Sequence, residues 1–467
     1  MAKQGSLTHR GSRMNDNIRQ QVEDAYQQKT PGSAVLSKRA KQFLPSGVVH
    51  DSRYTSPYGL YASHALGSRK WDVDDNCYID YFGGHGALLL GHNHPQVIAA
   101  ASAQLARGTH FATGTELEIR WAEIICEMLP SAERVRFHSS GTEATQMAVR
   151  LARAYTGKTK LMRFHAHYHG WLDDMTSGYN SHFDGSAPIG VPASVAANSL
   201  AIDPYDPASV ERLLDEDDDI AAVILEPLGA ATGKLPLSVE FLRDLREWTR
   251  RNQVVLIFDE VVTGFRVSPG GVQAQSGISA DLTTLAKIVA GGLPGGAVVG
   301  SADILGGLDY ESGKRGKREK IYHPGTFNAC PVSAAAGIAA LEIIQQQDSC
   351  NIASQRAQQL REGLAQCLRD YSLDWVVYGE ASAFHIYMGD ALAGGKPFLP
   401  QQLGRIELYQ QPPDLSRLLR LALNINGVDF SGWPGGLVSA AHSEADIEAT
   451  LVAFAASLEM IRPLLED

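Results

Sequence analysis

Val254-Val-Leu-Ile-Phe-Asp-Glu260 sets five apolar residues in a row before two acids. A continuous apolar run of this length, without polar alternation, reads as a strand buried on both faces, as in parallel sheets covered by helices. Asp259 then stands at the carboxyl end of such a strand. Upstream, Ile220-Ala-Ala-Val-Ile-Leu225 repeats the pattern and ends on Glu226. Ala297-Val-Val-Gly300 fits another strand, and so does Arg134-Val-Arg-Phe-His138. Glu143 to Tyr155 follows as a helix, with Ala144, Met147, Ala148, Leu151, Ala152 and Tyr155 on one face. Pro331 opens a further helix at its first position, continued by Ser333 to Ile344. From about residue 95 onward the alternation predicts an α/β fold, a mostly parallel sheet covered by helices.

Outside that region, residues 69–82 read as two short strands around an Asp-Asp-Asn turn. The final helix opens at Ser443-Glu-Ala-Asp446 with a capping-box pattern and turns Ile447, Leu451, Phe454, Leu458 and Ile461 inward. A chain of 467 residues exceeds one ordinary core. The expected division is a flexible N-terminus over 1–25, an N-terminal segment of a small domain over 26–80, a large domain over 81–345, and a C-terminal small domain over 346–467. The sequence shows no internal repeat and no low-complexity segment.

Hydrophobic content of 44% and charged content of 20% describe a globular protein. The net charge of −11 argues against a general nucleic-acid binder. The one basic cluster, Lys314-Arg-Gly-Lys-Arg-Glu-Lys320, is interrupted by Gly and Glu and reads as a solvated loop. Five scattered cysteines (Cys77, Cys126, Cys330, Cys350, Cys367) give neither a disulfide framework nor a zinc spacing, so no metal is expected. No apolar run approaches the ~18 residues of a membrane span, and the first residues lack an apolar signal core. The expectation is a cytoplasmic protein with no membrane partner.

Chemistry concentrates in a few places. Lys287 lies in Asp281-Leu-Thr-Thr-Leu-Ala-Lys287-Ile-Val-Ala-Gly-Gly-Leu-Pro-Gly-Gly296, among small and apolar residues. Such surroundings shift a lysine toward the neutral amine that condenses with carbonyls. Paired with Asp259, it suits pyridoxal phosphate (PLP): the lysine holds the aldehyde, and the acid keeps the pyridine nitrogen protonated. Ser139-Ser140-Gly141-Thr142-Glu143 stands at a strand-to-helix junction, where it serves either as a phosphate cup or as an ordinary N-cap. His165-Ala-His-Tyr168-His169-Gly170-Trp171 reads as a site wall, with Tyr168 able to stack on a heteroaromatic ring. Three histidines also raise a metal, but no carboxylate pattern supports one. Glu226 ends its strand as Asp259 does, so both would face one crevice, or Glu226 merely caps a helix after its strand. His323-Pro-Gly-Thr-Phe-Asn328 is a turn that can offer a hydroxyl and an amide. Gly84-His-Gly86 follows a strand but lacks the third glycine of a dinucleotide fingerprint, since Leu89 stands there.

Taken together, these motifs resemble the class III PLP-dependent aminotransferases of fold type I over roughly residues 30–465. The stretches that carry the resemblance are Ser140-Gly-Thr-Glu-Ala144, Tyr168-His-Gly170, Asp259-Glu-Val-Val-Thr-Gly-Phe-Arg266, Leu282-Thr-Thr-Leu-Ala-Lys287 and Gly325-Thr326. Within the class the chain resembles the glutamate-1-semialdehyde aminomutase branch, and more closely the D-phenylglycine aminotransferases. Asp80-Tyr-Phe-Gly-Gly-His-Gly-Ala87, His167-Tyr-His-Gly-Trp171, Ser177-Gly-Tyr-Asn-Ser-His-Phe-Asp-Gly185 and Ala290-Gly-Gly-Leu-Pro-Gly-Gly296 support this.

The resemblance implies a large domain with a mostly parallel seven-stranded sheet and a smaller α+β domain from both chain ends. It implies that Lys287 is the Schiff-base lysine and shuttles the substrate proton, and that Asp259 partners the ring nitrogen. Val261 and Tyr168 would sandwich the ring, and Gly141, Thr142 and Ser140 would form the phosphate cup. Thr326 would reach the phosphate of the neighbouring subunit in a homodimer. Arg53 falls where the aminomutase branch binds the substrate carboxylate, and His85 stands where that branch has a tryptophan. The implied activity is ping-pong transamination between an amino acid, aromatic or D-phenylglycine-like, and a 2-oxo acid. Glutamate-1-semialdehyde 2,1-aminomutase activity is the alternative, and a non-catalytic PLP-fold protein a third. The segment from Thr176 to Val191 and His85 depart from the aminomutase pattern. Gly427-Val-Asp-Phe-Ser-Gly-Trp-Pro-Gly-Gly436 matches neither branch closely and is expected to cover the substrate pocket.

Overall fold

A computed structural model describes residues 4–311, 319–389, 412–431 and 434–465. Most of the basic cluster at Lys314–Lys320, and Gly432 and Trp433, lie outside them.

The apolar runs form the centre of a seven-stranded sheet. From one edge its strands are Arg134–His138, Gly296–Gly300, Leu282–Ala286, Val255–Asp259, Ile220–Leu225, Lys160–Phe164 and Ser199–Ile202. Gly296–Gly300 runs antiparallel to both neighbours, and every other pairing is parallel. Every residue of Ile220–Leu225 and Val255–Asp259 is buried, as continuous apolar runs require when helices cover both faces. Leu225 pairs with Phe258, so Glu226 and Asp259 emerge side by side at the carboxyl edge. Two of the strands, Lys160–Phe164 and Ser199–Ile202, are hard to read in the sequence. Arg163 breaks the apolar run of the first, yet it is fully buried, donating to Ser199 Oγ at 2.8 Å and to the Ser177 carbonyl at 2.6 Å.

The chain ends make a second core. Residues 69–82 form the expected hairpin, Arg69–Asp72 against Cys77–Asp80, extended by Ala62–Leu66. Val428–Asp429 adds to it in parallel, with Asp429 opposite Asp80. Val22, Tyr26, Ile79 and Tyr81 share a buried cluster with Leu360, Leu418, Phe430, Phe454 and Leu458. The N-terminal segment departs from the expected flexible stretch: a helix spans Gln4–Lys29, with Val22 and Tyr26 buried and Arg19 paired to Asp414 at 2.7 Å. Its Val22 also carries the N-terminal contribution to this core upstream of residue 26. The Glu444–Ile461 helix opens with the expected capping box between Ser443 and Asp446, and buries Ile447, Phe454, Leu458 and Ile461. No described helix is long and apolar enough to cross a membrane.

Candidate active site

Three strand ends and two glycine turns converge on Lys287. The residue follows Leu282–Ala286 in left-handed backbone, φ 56°. A side chain longer than glycine's is uncommon there and costs of order 1–3 kcal/mol, a conformation that persists where the surroundings enforce it. Gly291 and Gly292 (φ 61° and 85°) close the turn behind it, and the Gly292 amide donates to the Lys287 carbonyl at 3.2 Å. A Cβ on Gly291 would lie 2.6 Å from the Ala336 carbonyl oxygen. Burial pushes the Lys287 amine below its ordinary range. Asp259 and Glu226 pull the other way, and Arg266 adds to the depression.

Asp259 is fixed on both oxygens. His169 Nδ1 lies 2.7 Å from Oδ2, and the Val261 amide donates to Oδ1 at 3.1 Å. Both side chains are buried, and His169 Nε2 has no hydrogen-bond partner among the described residues. Glu226 also contacts backbone: Oε1 accepts from the Tyr168 amide at 2.9 Å and Oε2 from the Thr232 amide at 3.3 Å. It thus ties the Tyr168 segment to the tight Gly229–Gly233 turn, in which Ala231 and Thr232 are left-handed. Its carboxyl is pushed up to about 7 by burial and then by the neighbouring Asp259 charge, against those amide bonds. The Glu226 amide in turn donates to His167 Nδ1 at 2.9 Å, which fixes the tautomer of that buried ring.

The expected phosphate cup has the right physical character. Ser140 caps the Gly141–Thr156 helix, its Oγ accepting from the Glu143 amide, while Glu143 accepts from the Ser139 amide at 2.6 Å. The amides of Gly141 and Thr142 have no partner among the described residues, so a helix N-terminus is available for an anion. A Cβ on Gly141 would come 3.0 Å from Val261 Cγ2 and 3.4 Å from Ala286 Cβ, and one on Gly170 2.6 Å from Thr142 Oγ1. These glycines keep the space between the cup, Val261 and the Lys287 strand open. With the buried Lys287 amine, the fixed Asp259 and this anion site together, the residues fit a phosphate-bearing pyridine aldehyde.

On the other side stands Gly83-Gly84-His85-Gly86, four residues in succession in left-handed backbone. It is one tight turn and not a dinucleotide loop. Arg266, fully buried, clamps it by donating to the Gly86 carbonyl at 2.6 Å and to Ser382 Oγ at 3.1 Å. Leu437, in the Gly435–Leu437 strand, abuts Gly86, which brings the C-terminal segment against this turn. The His85 ring stacks on His50 at 4.5 Å and meets Phe82 edge-on. Burial lowers its pKa to about 4, helped by the charges of His50, Arg53, Lys287 and Lys70. Arg53, on the exposed Asp51–Arg53 turn, therefore shares the electrostatic neighbourhood of His85 and Lys287. Tyr168 joins them: burial raises its hydroxyl pKa, and Asp259 and Asp51 raise it further. Its ring packs against Tyr179 at 5.1 Å.

Thr326 lies apart on the surface, its carbonyl accepting from His110. The start of its turn is anchored to the strand leading into the cup, since Arg136 donates to His323 Nδ1 at 2.8 Å and to its carbonyl at 3.0 Å. Sequence reasoning passed over His169, Arg266, His50 and Tyr179 as separate contributors. All four stand inside or beside those motifs, but His169, Arg266 and His50 have partners distant in sequence.

The profile of the family described as "Aminotransferase class-III" matches residues 51–376. A glutamate-1-semialdehyde 2,1-aminomutase of Methanopyrus kandleri is 37% identical, over 93% of this chain and 99% of that protein. Among solved structures, an omega-transaminase from Sphaerobacter thermophilus superposes with TM-score 0.83 at 33% identity, covering 92% of this chain and 98% of that one. A beta-phenylalanine aminotransferase from Variovorax paradoxus does so with TM-score 0.82 at 26% identity, covering 95% and 97%.

Proposed function

The chain belongs to the class III aminotransferases, which are PLP-dependent enzymes, and from that premise we propose that it moves an amino group between a carboxylate-bearing substrate and the cofactor through Lys287. Bound PLP supplies an aldehyde that carries the amino group and a ring that draws off electrons. Lys287 would hold that aldehyde and, once released, pass a proton at the substrate carbon, a task suited to an amine whose hold on its proton burial weakens. Asp259, oriented by His169, would hold the ring nitrogen protonated. Ser140, Gly141 and Thr142 would take the phosphate, Tyr168 and Val261 the two faces of the ring, and Glu226 would brace Tyr168. Arg53 and His85 would face the substrate. Thr326, exposed as it is, would complete the phosphate site of a second copy in a homodimer. The observation that carries this reading is the burial of the Lys287 amine near two carboxylates that leave adjacent strand ends side by side.

Two finer readings share this chemistry. In one, a 2-oxo acid takes the amino group, so the enzyme is an aminotransferase; a D-phenylglycine-like donor rests on sequence resemblance. In the other, the amino group returns to the same carbon skeleton, as in glutamate-1-semialdehyde 2,1-aminomutase. Curated relatives at 36–37% identity over nine-tenths of the chain bear that name and favour this second reading. His85 and the segment from Thr176 to Val191 favour the first. Requirement for an acceptor separates them. Holoenzyme given glutamate-1-semialdehyde alone yields 5-amino-4-oxopentanoate if it is a mutase. Holoenzyme given D-phenylglycine and 2-oxoglutarate yields glutamate if it is a transaminase of that specificity. Borohydride reduction followed by peptide mapping tests the common premise: absence of a pyridoxyl mass on Lys287 would overturn both.

A further inference from the structure

We propose that His50 is a positioning residue that builds the substrate-carboxylate side of the site by tying Arg53 to His85, and that the pocket so formed takes a carboxylate joined to a flat group. The proposal rests on the reading above that the substrate carries a carboxylate. His50 makes two separate attachments. Its Nδ1 accepts the Ser52 amide at 3.2 Å and lies 2.9 Å from Ser52 Oγ, which caps the Asp51–Arg53 turn. Its ring stacks on His85 with centroids 4.5 Å apart and planes 27° apart. Because an amide must donate, Nδ1 is the acceptor in this contact, which leaves the ring proton on Nε2.

The two attached parts differ in rigidity. His85 stands on a turn of four left-handed residues clamped by Arg266, with Phe82 at its edge. The Arg53 turn is three residues long and exposed, and its two backbone bonds, Arg53 amide to His50 carbonyl and Tyr54 amide to Asp51 carbonyl, are internal to it. His50 thus fastens the loose part to the fixed part. His50 is itself exposed, so core packing does not explain its placement. The stacked imidazoles also offer a flat, polarisable wall, and the Arg53 charge acts on His85 within it, which matches a planar group attached to a carboxylate.

The test uses PLP-loaded enzyme and benzoate, an unreactive planar carboxylate, titrated by calorimetry. Three variants divide the two attachments. His50→Asn keeps an acceptor for the Ser52 amide and loses the ring. His50→Phe keeps a ring for His85 and loses the acceptor, and His50→Ala loses both. The expected result is benzoate binding roughly tenfold weaker in His50→Ala, with the other two intermediate. For a reactive donor, KM rises in the same order while kcat at saturation stays nearly constant, a split that a general loss of stability would not give. Wild-type affinity in His50→Ala, or no benzoate binding by the wild type, overturns the proposal. Full affinity in either single-attachment variant overturns the double tie. If the wild type transfers no amino group at all, the functional reading falls, and the benzoate series still decides the role of His50.

Discussion

Lys287 carries two burdens that a surface lysine does not: left-handed backbone and an amine buried enough to lose affinity for its proton. Both are costs to folding, and both suit a residue that must be neutral and held at one point. Lys287→Ala is expected to lower kcat by roughly 10²–10⁴-fold, the span that a placed proton carrier contributes, while PLP phosphate binding persists. Single-turnover absorbance of the cofactor measures both. Glu226 provides the pH signature. Its carboxyl, pushed up to about 7 from 4.5, holds its proton more tightly folded than unfolded. The stability this contributes is complete below the unfolded value and is lost as pH climbs through about 7. Melting temperature should therefore fall less steeply across that interval in Glu226→Gln than in wild type. Parallel profiles for the two proteins would show that Glu226 does not titrate there.

At the scale of the element, the proposed site sits where strands stop. Val255–Asp259 and Ile220–Leu225 lie in register, so their following acids share one edge, and Leu282–Ala286 delivers Lys287 to the same edge. The Gly141–Thr156 helix adds a cup that depends on a missing side chain. Gly141→Ala would raise the Kd for PLP by roughly tenfold, because its Cβ meets Val261 and Ala286. The same change should alter apo stability by less than about 1 kcal/mol, since alanine is the better helix former. Fluorescence titration with PLP and a denaturant melt separate the two effects. Far from the site, Ser443→Ala removes the capping box of the Glu444–Ile461 helix and should cost about 1 kcal/mol in urea unfolding, with activity unchanged.

For the whole molecule, the critical joint is where the two chain ends meet. Lys70 lies 2.8 Å from Asp80 and 2.6 Å from Asp429, the carboxylates of two strands paired across most of the chain. Burial would raise both acids, but Lys70 overrides it and holds them below the usual carboxylate range, with His92 assisting at Asp80 and Arg420 at Asp429. Lys70→Met strands two buried charges and is expected to cost about 3–5 kcal/mol. Because the acids are depressed, the wild-type advantage is present above their unfolded value and is lost as pH falls toward acid. Unfolding at neutral and acid pH checks the sign.

How much of this was written in the chain depends on the range of each interaction. Local order sufficed for the buried runs at 220–225 and 254–258, the hairpin at 69–82, the Ser443 cap, and the Lys287 and Asp259 candidates, because periodicity and capping act over a few residues. The strand Lys160–Phe164 was hidden because Arg163 looks solvent-bound until Ser199 and Ser177 satisfy it. His169 on Asp259, Arg266 on Gly86 and His50 on His85 are pairings between distant segments. Only the folded sheet brings those segments within hydrogen-bonding or stacking reach. Residue type and spacing determined the chemistry on offer; the tertiary structure decided which groups hold that chemistry in place.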